Sequence, residues 1–115
     1  MTRAQRNPRN EISVRTMARV IRSKNAGPFE LTVDIIFKNR RFFDLARHSG
    51  RITRQRMARL YRIPVRDILD IIWFEPATAL KVTMRRWQPS GADNERDIYG
   101  AQQHAPLLTL TFPRR

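Results

Sequence analysis

One run in this chain admits a single backbone reading. From Glu30 to Phe37, Leu31, Val33, Ile35 and Phe37 alternate with Thr32, Asp34 and Ile36. A period of two puts the first set on one face of a strand and the second on the other. Asp34 falls on the second face, where it is either solvated or paired with Arg19 or Arg22 of a neighbouring strand. Upstream, residues 14–21 hold Met17, Val20 and Ile21 with Arg15 and Arg19 between them, a first strand of less regular alternation. The two runs form a hairpin of the longer, Gly-containing kind, with a loop over residues 23–29. The stretch Arg22-Ser23-Lys24-Asn25-Ala26-Gly27-Pro28-Phe29-Glu30 combines a guanidinium, an ammonium, a hydroxyl, an amide and a Gly-Pro turn. Glycine would open backbone N–H groups beside the two cations, which suits a carboxylate or phosphate. Arg22, Ser23, Lys24, Asn25 and Gly27 are therefore the candidate substrate-binding residues, with a turn carrying solvated charges as the plainer alternative. No GxxxxGK[ST] or GxGxxG pattern supports a nucleotide fingerprint.

The remaining elements follow from spacing. Phe42, Leu45 and Ala46 predict a helix over residues 40–48, stopped by Gly50. Thr53 is a candidate N-cap for a second helix over 53–61, with Met57, Leu60 and Tyr61 inward and Arg54, Arg56 and Arg59 outward. Leu69, Ile71, Ile72, Trp73 and Phe74 form a nearly continuous apolar run, which predicts a central strand buried on both faces. Residues 79–86 alternate, with Leu80, Val82 and Met84 in and Lys81, Thr83 and Arg85 out, as a strand antiparallel to the one before. Leu108, Leu110 and Phe112 predict a last strand after a polar segment from Tyr99 to Pro106 that holds one helical turn. The order β-β-α-α-β-β-β gives an α+β two-layer sandwich, a mostly antiparallel sheet with helices on one face, in a ferredoxin-like variant.

At 115 residues the chain makes one domain. Residues 1–13 read as a flexible basic arm and 14–115 as the folded unit. The absence of cysteine removes thiolate catalysis and disulfides. Two histidines among scattered carboxylates give no metal site, and no cofactor is expected. No apolar run spans a membrane and no h-region opens the chain, so the expected compartment is the cytoplasm. His48 stands at the end of the first predicted helix, where it meets the last carbonyls. His104 is the candidate general acid or base, with a structural histidine as the plainer alternative, and Tyr99, Gln102 and Gln103 beside it are further candidate substrate-binding residues. Of 23 basic residues 20 are arginine, and residues 38–66 hold ten bases against one acid, Asp44, or 10 − 1 = +9. That segment would draw polyanions or an acidic protein face, non-specifically and in a salt-sensitive way.

Four strings resemble a bacterial family of small AtuA-related proteins of unknown function. They are Val20-Ile21-Arg22-Ser23-Lys24-Asn25-Ala26-Gly27-Pro28-Phe29-Glu30-Leu31-Thr32, Ile52-Thr53 with Ala58-Arg59-Leu60-Tyr61, Phe74-Glu75-Pro76-Ala77, and Asp97-Ile98-Tyr99-Gly100-Ala101-Gln102-Gln103-His104-Ala105-Pro106-Leu107-Leu108. The family is similar to the small ferredoxin-like C-terminal domain of acyclic terpene utilisation (AtuA) proteins. The resemblance implies a small or accessory subunit that completes the active site of a larger AtuA-like partner. The substrates implied are branched or unsaturated carboxylic acids or their CoA esters, in lyase or hydratase chemistry. The alternatives from other classes are a non-specific nucleic-acid-binding protein and a stand-alone small-acid-binding domain, with a homo-oligomer compatible with either.

Overall fold

A computed structural model describes residues 10–85 and 103–114. The alternating run of the sequence is its central strand, β3 (Glu30–Phe37). Leu31, Val33, Ile35 and Phe37 are all buried on one face. Each such side chain contributes about 1.5–3 kcal/mol relative to exposure, so this one strand anchors the core. It is flanked on one side by β2 (Ala18–Gly27) and on the other by β5 (Ala79–Arg85), whose outer neighbour is β4 (Ile68–Phe74). The order β2-β3-β5-β4 is antiparallel throughout. A second, two-stranded sheet pairs β1 (Glu11–Ser13) with β6 (Thr111–Pro113). The α+β class and the antiparallel sheet follow the sequence reading. The β-β-α-α-β-β course through the larger sheet differs from the β-α-β-β-α-β order of a ferredoxin-like fold.

Four segments depart from expectation. First, residues 14–21 are not one strand. Ser13 caps a single helical turn, α1 (Val14–Met17), by accepting from the Arg15 amide at 3.1 Å. Val14 and Met17, three residues apart, are both fully buried, a spacing that a turn of helix satisfies and a strand does not. Glu11–Ser13, read as the end of an arm, are strand β1, with Ile12 in the core. Second, there is no loop over 23–29. Strand β2 continues to Gly27, which pairs with Glu30, so Pro28 and Phe29 alone make the turn. A register shift between Asn25 and Gly27 and a φ of +147° at Gly27 let the chain reverse there, a conformation that strains any residue with a Cβ. Third, the apolar run of β4 lies at the edge of the sheet, not its centre. Ile71 and Trp73 turn to the core side while Ile72 and Phe74, 41% and 53% exposed, turn away. At the C-terminal end, a 3-10 turn (Ala105–Thr109) takes up Leu108 and shortens the last strand.

The helices behave as their patterns indicate. Asn39 caps α2 (Arg40–Arg47), and Thr53 caps α3 (Arg54–Tyr61) by accepting from the Arg56 amide at 3.1 Å. Thr53→Ala is expected to lower stability by about 1 kcal/mol, measured by denaturant unfolding with an unchanged m value. Phe43 and Ala46 of α2 and Met57 and Ala58 of α3 are buried in one core with β3 and β5. Phe43 meets Phe37 at 6.1 Å and Trp73 at 5.6 Å between ring centres, both edge-on. The turn Glu75–Ala77 between β4 and β5 is tied to α2 through Glu75, which accepts from Arg47 at 2.6 Å and Arg40 at 3.4 Å. The Arg47 hydrogen bond, helped by Arg40, holds the Glu75 carboxyl below its ordinary value.

Candidate functional site

Strand register fixes what the sheet presents on the face away from the buried residues of β3. Directly opposite residues of an antiparallel pair share a face. Reading across four strands, one row is Val20, Ile36, Ala79 and Phe74, which is apolar. The next is Arg22, Asp34, Lys81 and Ile72. The third is Lys24, Thr32, Thr83 and Asp70. Successive rows lie about 7 Å apart. The face thus grades from oily to charged to polar over the length of a small organic acid.

A concavity of about 430 Å³ opens on this face, lined by Arg22, Lys24, Asp34, Ile36, Ile72, Phe74, Ala77, Ala79 and Lys81. That volume suits a small ligand. At its centre Arg22 Nε donates to Asp34 Oδ2 at 3.3 Å. The Asp34 side chain is only 14% exposed, against 62% for Arg22. Its Oδ1 is buried and has no hydrogen-bond partner among the described residues. A buried acceptor left unmet costs about 1–3 kcal/mol, a cost that the Arg22 contact to Oδ2 does not relieve. Arg22 offsets the Asp34 charge, which leaves Lys24 and Lys81 as the uncompensated cations of the lining.

The candidate residues of the sequence are divided by this geometry. Arg22 and Lys24 lie on the concave face, and the Arg22–Asp34 pair is one of the two pairings open to Asp34 in the sequence. Ser23 and Asn25 lie opposite Val33 and Leu31 and so share the core-side face. Gly27 shapes the hairpin end. The expected loop is thus replaced by alternate residues of an edge strand. Gln103 accepts a hydrogen bond on its carbonyl from the Tyr61 hydroxyl at 2.9 Å. His104 precedes the 3-10 turn, and its carbonyl accepts from the Leu107 amide at 2.9 Å. Neither lines the concavity among the described residues. Tyr99 and Gln102 lie outside the described residues. Asp34 in this role, Lys81, Ile36, Ile72 and Phe74 escaped the sequence reading. The signal for them was the outward set of each strand, which becomes legible only when β4 is known to be an edge.

Burial raises the pKa of the Tyr61 phenol above its ordinary value. The unfolded chain then loses this proton first as pH rises past about 10, while the folded chain keeps it. Stability is therefore expected to fall with rising pH in that range, by at most about 1.4 kcal/mol per pH unit from this group. Tyr61→Phe should remove that part of the slope in alkaline unfolding curves.

Among the described residues no helix is long and apolar enough to cross a membrane, and no group of three or more His, Cys, Asp or Glu stands ready for a metal. A family model described as a domain of unknown function (DUF4387) matches residues 14–111. No curated protein and no solved structure matches the chain.

Proposed function

We propose, for a chain that belongs to the DUF4387 family of domains of unknown function, that the concave sheet face holds a branched or unsaturated carboxylic acid, free or as its CoA ester. In this reading the protein is a small subunit that completes the active site of a larger AtuA-like partner. The single observation that carries the ligand class is the apolar-to-basic gradient across one concavity. Ile36, Ile72 and Phe74 receive the hydrocarbon, and Lys24 and Lys81 receive the carboxylate. Lysine serves here as a point charge on an apolar stem, which lets the stem join the oily row while the ammonium meets the acid.

Asp34 gives this site more than binding. The Asp34 carboxylate, which lines the concavity, would accept a hydrogen bond from a water or a substrate C–OH group. Addition of water across a conjugated double bond needs a carboxylate that takes a proton from the water as its oxygen joins the β-carbon and returns a proton to the α-carbon, and a cation that stabilises the charge gathering on the carboxyl end; dehydration runs the same transfers in reverse. Asp34 and the two lysines supply this pair of functions. His104 has no part in the scheme.

The exposed Phe74 and Ile72 offer an apolar surface for a second protein. They leave the oily end of the concavity uncovered among the described residues, and closing it against water strengthens each charge interaction inside. The test is co-expression with an AtuA-like partner followed by gel filtration. Co-elution, lost on Phe74→Asp, is the expected result. Separate elution at micromolar concentration, with the isolated chain binding the acid in full, would leave a stand-alone acid-binding domain instead.

A further inference from the structure

The basic segment of the sequence does not present its charge evenly once folded. Arg40 and Arg47 are engaged by Glu75. Arg51 donates to Glu11 at 2.8 and 3.2 Å and to the Thr111 carbonyl at 3.0 Å. Arg54 donates to the Ile68 carbonyl. These four cations hold elements together. Arg56, Arg59 and Arg62 are different. They follow one another at intervals of three along and just past α3, and no carboxylate among the described residues forms a recorded ion pair with them. Neighbours at this spacing on a helix repel when their charges are alike.

All three open onto a second concavity of about 410 Å³, completed by Arg51, Leu60 and residues 109–111. Arg62 also stands apart in its backbone. It is the C-cap of α3 in the left-handed conformation, φ 59° and ψ 47°, where glycine is the usual occupant. The chain accepts a strained, non-glycine residue at the cap position that adds a guanidinium to the cleft beside those of Arg51, Arg56 and Arg59. Such outliers gather at ligand sites.

We propose that this cleft binds a phosphate group. A carboxylate brings one charge and two oxygens. A phosphomonoester or diphosphate brings more charge and three or more acceptor oxygens, which match several planar guanidinium forks at once. The same chemistry is offered by a small phosphoester and by a nucleic-acid backbone. The site is separate from the carboxylate face, so its test uses probes without that ligand.

The experiment is isothermal titration of the full chain with pyrophosphate, with ADP and with a single-stranded oligonucleotide, at two salt concentrations. Saturable binding of at least one probe is expected. Arg59→Gln with Arg62→Gln should weaken it by about tenfold or more, while Arg66→Gln, outside the cleft, should not. Arg62→Gly provides the second variant. It relieves the left-handed cap and should not lower the melting temperature, yet it should weaken binding. Saturation by pyrophosphate or ADP identifies a small phosphoester as the source. Saturation by the oligonucleotide alone, falling steeply with salt, identifies a nucleic-acid backbone. Absence of saturable binding for every probe, or unchanged affinity in both cleft variants, would overturn the proposal.

Discussion

Replacing Phe43 by alanine is expected to remove about 3–5 kcal/mol of stability. Phe43 is fully buried on α2 and is the ring through which that helix meets both Phe37 of β3 and Trp73 of β4. Its two edge-on contacts add to the cost of the lost hydrocarbon. Arg40 and Arg47 lie within 5.7 and 6.0 Å of the same ring while engaging Glu75, so the loss also loosens the tie between α2 and the β4–β5 turn. For a domain of ordinary stability, about 5–15 kcal/mol, this change leaves little in reserve. Urea unfolding checks it, with Phe43→Leu expected to cost less because it leaves a smaller void. A loss below about 1 kcal/mol would mean that α2 does not seal the core.

The second large effect concerns ligand affinity. Lys24→Met with Lys81→Met keeps the apolar stems and removes both uncompensated cations from the concave face. Binding of a branched unsaturated acid should weaken about 10–100-fold, the range of one or two charge-assisted contacts. Stability should change little, since both lysines are exposed and neither forms an ion pair among the described residues. Asp34→Asn separates binding from chemistry. It abolishes the charge partner of Arg22 while retaining an acceptor oxygen. The acid should therefore bind at least as tightly, whereas any proton transfer at this site should be lost.

The core of this fold was legible because it is written in alternation. Leu31, Val33, Ile35 and Phe37, and again Leu80, Val82 and Met84, are placed by a period of two that no other backbone satisfies, and all seven are buried. The caps Asn39 and Thr53 show the same agreement between local chemistry and structure, although only Thr53 was singled out in the sequence. The site was less legible, for one physical reason. Polar residues in succession signal a loop when nothing says where the sheet ends. Arg22, Ser23, Lys24 and Asn25 are instead the alternating sides of an outer strand, one side towards the core and the other towards solvent. The same ambiguity acted in reverse on β4, whose Ile72 and Phe74 looked like core and are exposed at the opposite edge. Hydrophobic pattern specifies faces, but strand order depends on long-range pairing that no local window contains. The charged segment misled in a third way. Much of its excess is spent on internal ties through Arg40, Arg47, Arg51 and Arg54, which a net charge cannot reveal.

The central claim is that the sheet face between β2 and β4 receives a carboxylic acid. An NMR titration of the isotope-labelled full chain with 3-methylbut-2-enoic acid tests it most directly. Saturating shifts should concentrate on the amides of Lys24, Asp34, Ile72 and Lys81, and should vanish in the double lysine variant. Shifts confined to the arginine cleft beside α3, or no saturable shift at any concentration of the acid, would contradict it.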